Sequence, residues 1–166
     1  MRGRETNMED IAIREAREDD LDQAADLIVR MKKLNGEFDP LLKVVEDAKE
    51  RAERYLRESI KTSGHLVLVA TKGAKVLGVL RSILDDRLFY QPSKEGRITD
   101  FYILPEWRRR NLGDDMLQKA TEKLKSMGAE MIVADFPARN EIASRFYTKR
   151  GFRALVDTFA IEDRHD

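Results

Sequence analysis

Two hydrophobic periods alternate along the chain, and their order admits few folds. From Leu41 to about Ile60 the apolar positions Val44, Val45, Ala48, Ala52, Tyr55 and Leu56 keep a helical period. After Ser63-Gly64 the period falls to two in "HLVLVAT" and "KVLGVLRSILDD", with "KGAK" as the turn of a hairpin. The same contrast orders the rest. "IAIREA" (Ile11–Ala16) reads as a strand, and Leu21, Ala25, Ile28 and Met31 mark one face of a helix that Asp19 or Asp20 caps and Asn35-Gly36 ends. Asp39-Pro40 opens the second helix. "DDRLFYQPSKEG" is a loop, and "RITDFYIL" (Arg97–Leu104) is a strand stopped by Pro105. Met116, Leu117, Ala120, Leu124 and Met127 define a third helix from Gly113 to about Met127, terminated by Gly128. "AEMIVADF" is a buried strand, "RNEIASRFYTKRG" a fourth helix capped by Asn140 and closed by Gly151, and "FRALVDTFAIE" supplies one last strand or two. The predicted order, β-αα-βββ-α-β-α-β(β), interleaves helices and strands around a mixed sheet, an α/β (α+β) class.

The 166 residues suit a single domain over 11–163 behind a flexible N-terminal extension over 1–10. Lys plus Arg and Asp plus Glu number 31 each, so no basic excess exists to hold a polyanion, and a nucleic-acid partner is not expected. Both signs crowd together in "EDAKERAERYLRES", which reads as i,i+4 ion pairs on a solvated helix. The absence of cysteine removes thiol nucleophiles, disulfides and Cys-ligated metals. His65 and His165 lie too far apart in sequence to suggest a metal site on imidazole. No apolar run approaches the roughly 18 residues of a membrane span, and "MRGRETNMED" lacks a signal peptide's apolar core. The expectation is a cytoplasmic protein with no membrane partner.

The densest chemistry lies in "ITDFYILPEWRRRNLGDDML", a strand, a turn and a helix start. A helix start exposes N–H groups without intrahelical acceptors, together with the positive end of the macrodipole, and phosphate binds such a place readily. Gly113 lacks a side chain where a diphosphate would approach most closely, and Asn111 tolerates the positive φ that a tight turn requires. Arg108 and Arg110 add charge around the backbone, while Arg109 is placed to face water. No Gly-Lys-Ser/Thr is present, so this is not a nucleoside-triphosphate loop. On spacing alone, a basic surface turn accounts for the same residues.

"ILPEWRRRNLGDDML" resembles motif A of the GNAT superfamily, the acetyl-CoA-dependent N-acetyltransferases. Arg108 takes the first position of its Arg/Gln-x-x-Gly-x-Gly/Ala element, Asn111 replaces the first glycine, and Gly113 matches the second. "NEIASRFYTKRGF" resembles motif B of the same family at Asn140, Ala143, Phe146, Tyr147, Gly151 and Phe152. "IAIREAREDDLDQAADLI" and "HLVLVATKGAKVLGVL" are similar to the family's opening strand and helix and its second hairpin, so the resemblance runs nearly the whole chain in order. It implies the acyl-CoA N-acyltransferase fold: a twisted, mostly antiparallel sheet with a splayed central parallel pair, here around Tyr102–Leu104 and Met131–Asp135, flanked by four helices. It also implies acetyl-CoA as cofactor. The coenzyme's pantetheine arm would lie against main chain at Tyr102, Ile103 and Leu104 as an added strand. Its diphosphate would lie across Arg108, Arg109, Arg110, Asn111, Leu112, Gly113 and Asp114, and Asn140 and Tyr147 would approach it from motif B. Asp114 puts a carboxylate where small residues are commoner in the family, and its side chain is expected to point away. A homodimer through the last strands is a further implication of the resemblance.

Acetyl transfer from a thioester needs a neutral amine, a donor for the charge that develops on the acyl oxygen, and a proton for the leaving sulfur. The resemblance puts the Tyr147 phenol near that sulfur; a core tyrosine capping Phe146 and Phe152 is the other reading. Asp100 lies on the strand that enters the site and is the candidate base or amine anchor, with a surface acid paired to Arg97, or a relaying water, as rivals. "RITDFYILPEWR" is similar to a segment of the diamine and polyamine acetyltransferases, except that Thr99 stands where they carry Glu. Neighbours on a strand face opposite ways, so Thr99 and Asp100 share the cleft only if the strand bulges. Glu37, Asp39, Asp85 and Asp86 are expected in loops on the acceptor side, His65 facing solvent, and Trp107 packed under the turn. The function expected is transfer of acetyl to a primary amine of a small molecule, with a polyamine, a protein N-terminus or lysine, or a regulatory acyl-CoA-binding module without turnover as alternatives.

Overall fold

The computed structural model describes residues 10–108 and 110–163. Most of the extension expected over 1–10, and Arg109 among the candidate cofactor contacts, lie outside the described residues. Five strands form one sheet in the order β1-β2-β3-β4-β5: β1 (Ile11–Glu15), β2 (His65–Lys72), β3 (Lys75–Asp86), β4 (Lys94–Ile103) and β5 (Met131–Ala134). All neighbours are antiparallel except β4 and β5, which are parallel. Four α-helices flank the sheet: α1 (Leu21–Phe38), α2 (Ala48–Ile60), α3 (Leu112–Ser126) and α4 (Glu141–Thr148).

β2 and β3 bury side chains on both faces, in unbroken stretches from Leu66 to Thr71 and from Val76 to Ser82. That is why they read as continuous apolar runs rather than clean alternations. α1 supplies Leu21, Ala24, Ala25 and Ile28 to the core and α2 adds Ala52 and Leu56, while α3 contributes Leu112, Met116, Leu117, Ala120 and Leu124. α3 comes close because Gly96 has no side chain: a Cβ there would stand 2.8 Å from Leu124 Cδ1 and 3.1 Å from Ile132 Cδ1. Arg14 clamps β1 to the start of α1 through two bonds to Asp20, at 2.6 and 2.9 Å. These bonds, chiefly, hold the Asp20 carboxyl below its ordinary value.

Three expectations are corrected. α1 runs past Asn35-Gly36 to Phe38. The second helix begins at Ala48 rather than near Leu41, because the Asp39 carboxylate accepts from Leu41 N–H and closes a short 3-10 turn over Pro40–Leu42 instead. "FRALVDTFAIE" forms no strand: residues 152–163 carry no regular structure, and every residue from Arg153 to Asp163 is exposed.

Candidate active site

The site begins where the parallel pair parts. β4 and β5 pair from Glu95 with Met131 to Ile98 with Ala134, and the Asp135 N–H closes the ladder on Ile98 O at 3.0 Å. β5 ends at Ala134, so from Thr99 onward β4 has no strand on that side, and the gap this leaves is the fork. Leu104 N–H donates to Leu77 O across β3, and in an antiparallel ladder alternate residues turn their main-chain groups outward. Phe101 and Ile103 therefore direct theirs into the fork, while Tyr102 and Leu104 direct theirs to β3. Ile103 O already accepts from Arg108 Nε at 2.8 Å, and the Arg108 guanidinium lies over the Tyr102 ring at 5.0 Å.

At its far end the fork opens on the first turn of α3. Asn111 adopts left-handed backbone, φ 58°, which redirects the chain from the 3-10 turn Pro105–Trp107 into the helix. Asp115 N–H is the first to close a helical bond, onto Asn111 O at 3.0 Å, so Leu112, Gly113 and Asp114 present N–H groups with no acceptor in the helix. Arg108, Arg110, Asn111 and Asp114 around them are exposed. Trp107 is half-buried between Lys72 Nζ at 5.3 Å and the Arg110 guanidinium at 4.8 Å. The Asp114 carboxylate turns to Arg150, just past the end of α4, which pairs with it and lowers its pKa. Gly113 is needed on its inner side, where a Cβ would meet Phe146 Cε2 at 3.2 Å.

α4 brings the phenol. Asn140 caps the helix by accepting from Ala143 N–H at 3.1 Å. Tyr147 is buried, stacked on Phe136 at 5.4 Å and edge-on to Phe146 and Phe152, each at 5.1 Å. Burial, above all, raises its pKa, so the hydroxyl keeps its proton.

On the opposite face lies a buried polar cluster. The register of β3 with β4 skips Thr99, passing from Arg81–Asp100 to Ser82–Ile98. This is a β-bulge, and it shifts the parity of the strand. Gly96 before it and Phe101 and Ile103 after it all face α3 and α4 despite their odd separation. Thr99 and Asp100 are thereby thrown together toward α1 and α2, with Thr99 Oγ1 donating to Asp100 Oδ2 at 2.8 Å. Tyr55 Oη donates to the same oxygen at 2.6 Å. Asp100 Oδ1, buried, has the Lys32 ammonium 2.8 Å away but no well-directed hydrogen bond. Arg81 completes the cluster, donating from Nε to Ser59 Oγ at 2.6 Å and from Nη1 to Thr99 Oγ1 at 2.9 Å, with its guanidinium 4.0 Å above the Tyr55 ring.

Sequence reasoning named Asp100 and missed Lys32, Tyr55, Ser59 and Arg81. The available signal was Arg81 itself, a cation inside the apolar run "VLGVLRSIL", which requires buried partners. Arg97 pairs with Asp135 and Glu95 rather than with Asp100. His65 does not face solvent freely: it is half-buried, with Nδ1 3.4 Å from Arg81 Nη2, and burial followed by Arg81 lowers its pKa. Glu37 is in α1, and Asp85 and Asp86 are on β3 beside Arg97 and Lys94, so of these four acids only Asp39 lies in a loop.

Burial also raises the Tyr55 pKa, helped by the Asp100 charge. Above the ordinary tyrosine value of 10.0, the unfolded chain releases two protons that the folded chain holds at Tyr55 and Tyr147. This contribution to stability is therefore complete below about pH 10 and declines above it, by about 1 kcal/mol per pH unit for each phenol. Urea unfolding from pH 8 to 11 is expected to show that decline, with Tyr55→Phe and Tyr147→Phe each flattening it. Equal slopes in all three proteins would refute the assignment.

The forked parallel pair, the helix start beyond it and the motif B tyrosine define the architecture of an acyl-CoA-dependent transferase. The chain matches the acetyltransferase (GNAT) family over residues 28–152, and it belongs to that family, whose members use acetyl-CoA to acetylate amines. No curated protein matches it in sequence. Several solved structures share its fold. A transcriptional regulator from Bacillus halodurans C-125 is 24% identical, with a TM-score of 0.73 over 92% of this chain and 99% of that one. An aminoglycoside 6'-N-acetyltransferase from Acinetobacter haemolyticus is 16% identical, with a TM-score of 0.72 over 93% and 99%. The glucosamine-6-phosphate N-acetyltransferase of Arabidopsis thaliana is 18% identical, with a TM-score of 0.65 over 94% and 99%. Among the described residues no helix is long and apolar enough to cross a membrane, and no cluster of His, Cys, Asp and Glu is arranged to hold a metal ion.

Proposed function

We propose that the chain acetylates a primary amine of a small molecule, with the amine held at Asp100. One observation carries this reading. Asp100 Oδ1 is buried where the fork begins, and its neighbour is the alkylammonium of Lys32, whose side chain is 46% exposed. An acceptor ammonium is the same chemical group and fits the same place. The solved relatives that acetylate an aminoglycoside or glucosamine-6-phosphate act on amines of small molecules, which supports the substrate class.

The open N–H groups of Leu112, Gly113 and Asp114 suit a diphosphate, and the outward main chain of Phe101 and Ile103 suits an extended amide arm, so these residues fit coenzyme A. Arg108 and Arg110 stand at the rim, with Arg109 between them in sequence. When bound, acetyl-CoA supplies an activated acetyl thioester. The protein's share is placement and proton handling. Main-chain N–H in the fork donates to developing negative charge, and Asp100 orients the amine. Tyr147 Oη holds the proton needed where sulfur leaves. The ammonium held at Asp100 must release a proton to water before its nitrogen can attack, and an alkylamine is only about one part in a thousand neutral at pH 7, so rate is expected to climb with pH until the bound amine is deprotonated.

Calorimetry with acetyl-CoA, followed by thiol release on a panel of small amines and peptides, tests the reading. The expected result is micromolar or tighter binding and turnover on small amines. Turnover on peptides alone would favour a protein substrate. Binding without any turnover would make the chain a regulatory acyl-CoA-binding module, and no binding would overturn the proposal.

A further inference from the structure

A buried arginine on β3 and a buried aspartate on β4 stand opposite each other and do not pair. Arg81 and Asp100 are register partners, and both are buried. Side chains directly opposite on an antiparallel pair share one face at about 5 Å, and a guanidinium readily takes both oxygens of a carboxylate it can reach. Thr99, the bulged residue, lies between them instead. Arg81 Nη1 donates to Thr99 Oγ1 at 2.9 Å and Nε to Ser59 Oγ at 2.6 Å, and the guanidinium carbon lies 4.0 Å from the centre of the Tyr55 ring. Among the described residues no carboxylate comes within ion-pair distance of Arg81, and the ion pair of Asp100 is with Lys32.

The hydroxyl spacer changes what Asp100 can offer. Thr99 Oγ1 accepts from the arginine, so its own proton is left to donate, and Asp100 Oδ2 at 2.8 Å is a nearer acceptor than Arg81 O at 3.3 Å. Tyr55 Oη places a second proton on the same oxygen at 2.6 Å. Both bonds are charge-assisted, and two of them on one oxygen keep the carboxylate from turning. Oδ1 receives neither: it is buried without a well-directed hydrogen bond, and the Lys32 ammonium lies 2.8 Å away. A direct pair between Arg81 and Asp100 would satisfy the arginine equally well, but it would leave no oxygen for another cation.

We infer, on the reading that Asp100 anchors the acceptor amine, that Tyr55, Thr99 and Arg81 are positioning residues for that anchor. Tyr55 and Thr99 pin Oδ2, so that Oδ1 alone is presented to the ammonium. Arg81 fixes the direction of the Thr99 hydroxyl, and Ser59 in turn holds Arg81. None of them touches the acceptor; each acts through the carboxylate. Thr99 has a second duty, which is to keep the arginine off Asp100. A site held this way is set before the amine arrives, because every rotor that could misdirect the oxygen is already bonded.

Initial-rate kinetics on the full chain, with acetyl-CoA and the best acceptor among propylamine, putrescine and glucosamine, test this. Tyr55→Phe and Thr99→Val are each expected to raise the KM for the amine about three- to tenfold, the effect of one hydrogen bond. The turnover number at saturating amine and the affinity for acetyl-CoA should stay at the parent's values. Thr99→Ser, which keeps the hydroxyl, should restore the parent's KM. Added to Asp100→Asn, neither hydroxyl deletion should raise KM further, because both act through the carboxylate. A raised KM in Asp100→Asn with unchanged KM in both hydroxyl variants overturns this inference and leaves the amine site standing. So does a further rise in the double variants, or a Thr99→Ser protein no better than Thr99→Val. An unchanged KM in Asp100→Asn, or no turnover on any of the three amines, overturns the inference and the amine site together.

Discussion

Asp100→Asn is expected to raise the KM for the acceptor amine about tenfold or more, equivalent to about 1.4 kcal/mol, while acetyl-CoA binding stays unchanged. The carboxylate sits at the bulge with Tyr55 and Thr99 on one oxygen and Lys32 beside the other. An amide keeps an acceptor for the two hydroxyls but turns N–H toward the ammonium, so the anchor becomes a repeller. Stability falls as well. Removing one member of a buried charge pair costs about 3 kcal/mol at the low end of its range, the end that suits a lysine able to reach water. For a domain of this size that lowers Tm by about 6–12 °C. Steady-state thiol release and a thermal melt measure both effects. An unchanged KM in a destabilised protein would leave Asp100 a structural group and would dislodge the proposed amine site.

Tyr147→Phe separates chemistry from packing in the opposite way. The ring remains in its cluster with Phe136, Phe146 and Phe152, and only an oxygen is lost. Stability below pH 10 is expected to stay within about 1 kcal/mol of the parent. The turnover number should drop about a hundredfold, the lower bound for a positioned general acid, with the KM for the amine little altered. Because burial keeps the phenol protonated, the parent's activity should not fall near pH 10 on its account. Full turnover in the variant at every pH would assign the tyrosine to the core alone.

Much of this arrangement was legible in the sequence, for reasons that are local. Asn111 and Gly113 stand where a strand must turn into a helix, and a turn states its requirements in one or two residues. Asn140 follows from the capping preference of a helix start, and the element order follows from the switch of period at Ser63-Gly64. The bulge at Thr99 was not legible: alternation assigns Thr99 and Asp100 to opposite faces, and only the packing of Arg81 against Ser59 and Thr99 shows that the strand slips a residue. Tyr55 reads in sequence as an apolar helix position and Lys32 carries no signal at all, because each is ordinary on its own helix. Their role exists only once α1 and α2 are laid across β4. The C-terminal residues have strand composition but no strand in the single chain, since a strand's formation depends on having a neighbour.

The contact between Gly113 and Phe146 has a mechanical consequence. A glycine at that point lets one aromatic ring wedge against the first turn of α3 while its edge touches the Tyr147 phenol. The two therefore share one neighbour: a side chain added at position 113 would have to displace the Phe146 ring, and with it the packing around Tyr147. A single glycine thus sets how closely the first turn of α3 and the aromatic cluster of α4 can pack.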